Sequence, residues 1–221
     1  MRALVAWALL AAAAPAAAGT INGKVELKGS RKPTDVTDVV VYIDDVKVKS
    51  KAARPPAPAT VVMTMKGKAF TPRVVAVPVG GTVQFPNEDP ILHNAFSVSG
   101  DNKFDLELYK RPKSGSHTFE HPGVVRIYCN IHPQMEGVVV VRDNPYFTKA
   151  AEDGSFTIEG VPPGKHTLKA WHERANEVET TVNVPAEGPV AAKLTVDASG
   201  FKQVAHKNKF GKDYESGEKY D

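Results

Sequence analysis

Residues 124–135 read VVRIYCNIHPQM, a short β-strand pattern followed by a loop that carries metal-binding side chains. Apolar residues alternate along VVRIYC, which is typical of a strand with one buried face, and Cys129 lies on that face. His132 and Met135 follow on the loop, which can curl back over the thiol. Three soft or borderline metal ligands are therefore gathered at the end of one strand.

Cys129 is the only cysteine among the 221 residues. The chain therefore cannot form an internal disulfide, a Cys₄ zinc site, a CxxC redox pair or an iron–sulfur cluster. An unpaired thiol in an oxidising compartment is reactive unless something holds it. We therefore expect this thiol to be held as a metal-bound thiolate.

Residues 1–18 read MRALVAWALLAAAAPAAA and predict a secretory signal peptide. A basic start, an apolar stretch too short to span a bilayer and a run of small residues indicate cleavage near Ala18/Gly19. We expect a periplasmic or secreted mature chain. Without Arg2 it carries 27 basic and 25 acidic residues, a balance that argues against a nucleic-acid binder. No later stretch is apolar enough to predict a membrane span.

The remaining sequence is dominated by short segments rich in β-branched residues, with no sustained helical period. Gly and Pro punctuate these segments, a pattern that favours an all-β sandwich or barrel. Residues 53–60 (ARPPAPAT) predict a linker. Residues 199–221 are polar and predict a flexible tail. The predicted strands are 21–28, 39–43, 61–65, 73–77, 82–85, 124–129, 137–142, 155–159, 166–171, 178–184 and 190–196.

His93 is a fourth candidate ligand, on the loop that follows the predicted strand 82–85. A thiolate, two imidazoles and a weak thioether form the ligand set of blue copper electron-transfer sites. Thiolate and thioether hold Cu(I), and imidazole binds both oxidation states. The candidate ligands are therefore His93, Cys129, His132 and Met135.

A set of motifs surrounds the candidate ligands. They are Phe70-Thr71-Pro72, Val79-Gly80-Gly81-Thr82-Val83, Asn87, His93-Asn94, Pro122-Gly123, Tyr128-Cys129 and the Cys129-x2-His132-x2-Met135 loop with Gly137. Through these motifs, residues 60–142 resemble the cupredoxin family, most closely its amicyanin/plastocyanin-like branch. The resemblance implies a Greek-key β-sandwich or barrel with one type 1 copper, held by His93, Cys129, His132 and Met135. It also implies that Asn94 clips the His93 loop to the Cys129 loop.

The expected function is the transfer of single electrons between protein partners that dock transiently. Electrons would enter at the edge of His132, within an apolar rim formed by Ile91, Leu92, Ile131 and Pro133. Two alternatives remain open at this point. One is a copper-delivery protein of the cell envelope, and the other is an envelope-binding module with a structural metal.

An enzyme is not expected. Copper oxidases and nitrite reductases place a histidine beside the cysteine ligand, whereas this chain has Tyr128 and Asn130 there. The remaining histidines are spread along the sequence, so they predict no second copper site.

Residues 147–171 resemble a carboxypeptidase-regulatory (transthyretin-like) β-sandwich through a T-x-x-x-D-G-x-F-x-I run. That fold begins with two strands, which residues 21–25 and 39–43 could supply. The sequence thus predicts a cupredoxin domain inserted into a second sandwich, and the alternative is a cupredoxin with its own N-terminal extension. The predicted domains are a 1–18 signal peptide, a split sandwich of 19–52 and 143–198, a 60–142 cupredoxin domain and a 199–221 tail.

Overall fold

The structure, a computed structural model, describes residues 18–47, 60–202 and 204–214. All of the predicted signal peptide (1–18) except Ala18, and all of the predicted linker (53–60) except Thr60, lie outside these ranges. Within them, no helix has the length and apolar character needed to cross a membrane.

The described residues form β-strands and one short 3₁₀ helix. The N-terminal part contains β1 (Gly19–Lys28), the 3₁₀ helix (Pro33–Asp38) and β2 (Val40–Ile43). The middle part contains β3 (Val61–Val62), β4 (Thr64–Met65), β5 (Phe70–Thr71), β6 (Val74–Pro78), β7 (Gly81–Pro86), β8 (Phe96–Ser97), β9 (Phe104–Asp105), β10 (Ser114–Phe119), β11 (Gly123–Tyr128) and β12 (Glu136–Arg142). The C-terminal part contains β13 (Phe147–Lys149), β14 (Ser155–Val161), β15 (Gly164–Trp171), β16 (Val178–Val184) and β17 (Pro189–Asp197).

The middle strands form the sandwich that carries the candidate site. One sheet has the order β10-β7-β3 and the other has the order β6-β12-β11-β8-β9. Their facing side chains make one apolar core, to which Phe85, Ile127 and Val139 contribute fully buried side chains. The all-β fold predicted from the sequence is confirmed, and this arrangement is consistent with a Greek-key sandwich.

Strands from both ends of the chain form a second sandwich. Its sheets have the orders β14-β1-β17 and β13-β2-β15-β16. Strand β1 pairs antiparallel with β14 and parallel with β17, so it lies between two C-terminal strands. Strand β2 similarly lies between β13 and β15. The N-terminal strands thus pair with strands that follow the middle sandwich in sequence.

Strand β2 joins the two sandwiches because both of its faces are buried. Val41 and Ile43 enter the core of the second sandwich. The alternate residues enter a separate apolar cluster with β6 and β12 of the middle sandwich, since side chains alternate along a strand. That cluster consists of Val40, Tyr42, Val74, Val138 and Val140. Two-sided burial explains why residues 39–43 and 137–142 read as continuous apolar runs.

Ion pairs cross the same contact between the sandwiches. Glu173, whose side chain is 5% exposed, accepts hydrogen bonds from Arg73 and, at 2.9 Å, from Arg126. Arg73 Nε also donates to Asp38 at 3.0 Å. A buried carboxylate between two guanidinium groups restrains the relative position of the sheets, since separating the sheets would leave a buried charge unpaired.

Strands β5, β8, β9, β10 and β13 and the 3₁₀ helix lie outside the segments that the sequence predicted as strands. Three of these strands are only two residues long, and SGSHTF of β10 has polar or small residues at most positions. Such segments lack the apolar alternation on which strand prediction depends. Strand β10 is stabilised by its pairing with β7, although its own residues have little preference for a strand.

Candidate metal centre

Three buried side chains bring their donor atoms together at one end of the middle sandwich. Nδ1 of His93 lies 3.0 Å from Nδ1 of His132, and Sγ of Cys129 lies 3.6 Å from the same His132 nitrogen. All three donor atoms lie within 4.8 Å of one another. His93 and Cys129 are fully buried and His132 is 7% exposed. One ion could therefore contact all three donors out of reach of bulk water.

The Cys129 loop is held in a tight shape by its own backbone. Strand β11 ends at Tyr128, and its alternation carries Cys129 into the apolar core. The Cys129 N–H donates to the Met135 carbonyl oxygen at 3.3 Å, and the Met135 N–H donates to the His132 carbonyl oxygen at 3.0 Å. These bonds close the seven-residue loop, so that His132 turns back toward the thiol. The Met135 side chain is fully buried in the same core cluster as Cys129.

The His93 loop is fixed by a backbone pair with Tyr109. The His93 N–H donates to the Tyr109 carbonyl oxygen at 3.1 Å, and the Tyr109 N–H returns a bond of 2.9 Å. Asn87, at the start of the loop, donates from Nδ2 to the carbonyl oxygens of Ile91 and Tyr109. The loop therefore enters the site with little freedom, although it is irregular.

Asn94 connects the two ligand loops. Its Oδ1 accepts a hydrogen bond of 2.7 Å from the Asn130 N–H, and its Nδ2 donates to Asp105 at 3.0 Å. Burial raises the pKa of the Cys129 thiol, and the backbone N–H groups of Asn94, Ile131 and His132 partly offset that effect by stabilising the thiolate.

Asp89 is a site residue that the sequence analysis missed. Its Oδ2 lies 2.8 Å from Nε2 of His93, on the side of the ring away from the other donors. Burial raises the pKa of Asp89, but backbone N–H groups of Lys68 and Gly67 and the His93 ring outweigh this and hold the pKa at about 2. The ionised carboxylate thus keeps the proton on Nε2 and leaves Nδ1 free to bind a metal. Because Asp89 lies in an irregular loop, its four-residue spacing from His93 gave no sequence signal.

All four side chains predicted to form a docking rim are at least partly exposed. Ile91, Leu92 and Ile131 are half-buried and Pro133 is exposed. His132 itself reaches the surface only through its 7% exposed fraction.

A C-terminal segment also reaches the site, which the sequence analysis did not expect of a polar tail. We call residues 204–214 the C-terminal strap. Its Tyr214 hydroxyl donates to the Cys129 carbonyl oxygen at 2.9 Å, and His206 Nε2 donates to the Pro133 carbonyl oxygen at 2.8 Å. Contacts of this kind between distant segments leave no local sequence pattern.

The other histidines serve different environments. Among the described residues, His93, Cys129 and His132 are the one cluster with metal-binding geometry. His117 stacks on Phe104 with ring centroids 4.1 Å apart, and His166 contacts the Pro162 carbonyl oxygen. His172 is fully buried, and its Nδ1 accepts a hydrogen bond from the Arg174 N–H.

Part of the chain also matches a known domain profile. Residues 123–191 match a domain described as "Polysaccharide lyase family 4, domain II". The match begins in β11 of the middle sandwich and continues into the second sandwich. It names a different domain from the carboxypeptidase-regulatory sandwich that the sequence resembles, so that assignment stays a prediction.

The middle part of the chain has solved and curated relatives. A copper-containing nitrite reductase from Thermus scotoductus SA-01 is 31% identical over 44% of this chain and 25% of its own, with a TM-score of 0.36. This chain thus spans about a quarter of that enzyme. A reduced mutant of amicyanin is 28% identical over 39% of this chain and 86% of its own, with a TM-score of 0.36. These TM-scores are low, so neither structure assigns this chain to a family.

The curated amicyanin of Paracoccus versutus provides that assignment. It is 36% identical to this chain over 93 residues, which make up 41% of this chain and 70% of the amicyanin. An identity of this size over most of the relative's length is the evidence for common descent. The chain therefore belongs to the amicyanin-like cupredoxins.

Proposed function

We propose that this protein is a periplasmic or secreted mononuclear type 1 copper protein that transfers single electrons between protein partners. The observation that carries the proposal is the convergence of His93 Nδ1, His132 Nδ1 and Cys129 Sγ in one buried pocket. In the proposed site these three residues bind strongly, and Met135 is a weak axial ligand.

The donor set fits copper chemically. A thiolate and a thioether suit the reduced ion, imidazoles suit both oxidation states, and all four side chains are at least nine-tenths buried. When bound, copper would supply a one-electron couple between Cu(II) and Cu(I). Because Cys129 is the only cysteine in the chain, the chain cannot form a binuclear centre bridged by two thiolates.

The chain's own residues would keep the geometry constant while the charge of the site changes. The Asn94–Asn130 bond and the closed Cys129 loop restrict movement of the ligands. Asp89 fixes the orientation of the His93 ring. A preorganised site needs little rearrangement when one electron is gained or lost, which favours fast transfer.

Electron entry is proposed at the edge of His132. The half-buried Ile91, Leu92 and Ile131 and the exposed Pro133 give the surrounding surface an apolar character. A small apolar contact suits a redox partner that must bind briefly and leave. Amicyanin-like relatives and the predicted signal peptide support a location outside the cytoplasm.

We also propose the domain division predicted from the sequence, with residues 60–142 inserted into a sandwich built from 19–52 and 143–198. The pairing of β1 and β2 with C-terminal strands supports this division. Described residues on either side of the insert lie close together, since the Ile43 N–H donates to the Tyr146 carbonyl oxygen at 2.9 Å. Adjacent termini are the condition under which a domain insertion is tolerated.

Redox cycling of the copper-loaded protein distinguishes an electron-transfer protein from a copper-delivery protein. The proposed function predicts one copper per chain and an intense blue colour that a mild reductant bleaches and an oxidant restores. A colourless Cu(I) form that never reoxidises would instead favour copper delivery. Copper that binds without any redox response would favour a structural metal in an envelope-binding module.

A further inference from the structure

The C-terminal strap makes three hydrogen bonds to consecutive parts of the Cys129 loop. Tyr214 donates to the carbonyl oxygen of Cys129 and His206 donates to that of Pro133. Between them, the backbone N–H of Lys209 donates to Oδ1 of Asn130 at 3.0 Å. The two backbone bonds that close the loop use none of these three acceptors. The strap supplies a donor to each of them.

A ring of hydrogen bonds extends from the strap to the other ligand loop. Lys209 Nζ contacts Asp105 Oδ2 at 2.6 Å, and Asp105 Oδ1 accepts a bond from Asn94. Asn94 in turn accepts from the N–H of Asn130, whose side chain accepts from Lys209. The strap, the His93 loop and the Cys129 loop are therefore joined in one closed circuit. Each member of a connected network restrains the others.

Aromatic packing holds the strap against the strand that leads into the site. The His206 ring stacks on Tyr128 with centroids 4.0 Å apart and planes at 23°. Tyr214 meets His206 edge-on, with centroids 5.2 Å apart. His206 and Tyr214 are each held by both ring packing and a hydrogen bond to the Cys129 loop. The strap is therefore packed on the site, unlike a polar tail that rests on the surface.

We propose that the C-terminal strap is a third structural element of the metal centre, beside the two ligand loops. His206, Lys209 and Tyr214 are positioning residues that hold the Cys129 loop closed and so slow the release of bound metal. The inference rests on the proposed copper site, although its structural part can be tested without copper. The strap would thus have a structural role at the metal centre, in addition to the electron transfer proposed for the centre itself.

The test compares two full-length variants. One combines His206→Ala, Lys209→Met and Tyr214→Phe, which removes the side-chain contacts from the strap to the site. The matched control combines Lys207→Met and Lys212→Met, because the Lys207 side chain pairs with Asp213 within the strap and Lys212 is exposed. The control changes the charge and composition of the strap without touching either ligand loop.

The first readout is the rate at which the reduced, copper-loaded protein loses Cu(I) to bathocuproine disulfonate. Loss of groups that support metal ligands commonly weakens metal binding by 10-fold or more, so we expect release about tenfold faster from the triple variant. The control should release copper at the wild-type rate. Equal rates in the triple variant and the wild type would overturn the proposal.

The second readout is hydrogen exchange of residues 129–135 in the metal-free protein. We expect faster exchange in the triple variant and unchanged exchange in the control, because the strap restrains this loop before metal binds. Should the triple variant fail to fold, Tyr214→Phe removes a single hydroxyl and should shift exchange in the same direction. Unchanged exchange in the folded variants contradicts the strap's role. Failure of the wild type to bind copper contradicts the proposed function alone.

Discussion

Nε2 of His93 lies 2.8 Å from Oδ2 of Asp89, so a buried imidazole at the metal centre is backed by an ionised carboxylate. The carboxylate is 13% exposed, and two backbone N–H groups also bind it. This negative charge sits one ring away from the proposed metal. It should stabilise the more positive oxidation state of the centre.

Asp89→Asn should therefore raise the reduction potential of the copper-loaded protein. Removal of the charge disfavours Cu(II) relative to Cu(I), and a tenfold shift in that preference corresponds to about 60 mV for one electron. Glu88→Gln is the control, since Glu88 is half exposed and pairs with Lys66. Voltammetry at neutral pH measures both variants. An unchanged or lowered potential for Asp89→Asn would remove Asp89 from the description of the site.

Met135→Gln should retain the blue colour and lower the reduction potential. The colour comes from the Cys129 thiolate, which this substitution leaves in place. A harder amide oxygen in place of the thioether stabilises Cu(II) relative to Cu(I). Voltammetry and an absorption spectrum of the same sample check both parts. A potential equal to that of the wild type would exclude Met135 as a ligand.

Gly154→Ala should destabilise the second sandwich. Gly154 has φ +81°, and a Cβ there would lie 2.2 Å from the carbonyl oxygen of Val25 in β1. Strain and overlap together should cost about 2–4 kcal/mol in the free energy of unfolding. Urea unfolding followed by circular dichroism measures this loss.

Gly160→Ala provides the matched control for that substitution. Gly160 also has a positive φ, +71°, but open space surrounds its Cβ position. Only the backbone strain remains, which should cost about 1 kcal/mol. Equal losses for the two variants would show that the close approach of β1 to Gly154 does not constrain the fold.

His172 should make the folded protein less stable below neutral pH. Burial, followed by the charge of Arg174, lowers the pKa of this fully buried imidazole below its ordinary value of 6.5. As pH falls through 6.5 the unfolded chain takes up a proton first, so stability present above 6.5 is progressively lost below it. His172→Gln should flatten this dependence. Parallel curves of unfolding free energy between pH 7.5 and 5.5 would contradict the assignment.

The His93, Cys129 and His132 cluster involves residues that the sequence had already proposed as ligands, because they follow local rules. Cys129, His132 and Met135 lie within one loop, and His93 follows a predicted strand, so residue type and spacing were sufficient to propose them. Asp89 was missed because a carboxylate in an irregular loop carries no periodic signal. Its role depends on Gly67 and Lys68, which lie about twenty residues away along the chain.

The remaining differences arise from contacts between segments far apart in sequence. The long apolar runs at residues 39–43 and 137–142 were read as strands, but their second buried face reflects packing between the two sandwiches. Strap residues such as Tyr214 contact the Cys129 loop across 85 positions of sequence. Hydrogen-bond partners at such separations depend on the completed fold, so composition and periodicity cannot identify them.

The central claim is that Cys129, His93 and His132 hold one type 1 copper. The most direct test is the absorption and EPR spectrum of the copper-loaded mature protein beside that of Cys129→Ala. We predict one copper per chain, an intense thiolate-to-copper charge-transfer band and a narrow copper hyperfine splitting, with band and splitting both absent from the variant. A wild-type spectrum without that band, or copper loading that Cys129→Ala leaves unchanged, would contradict the account.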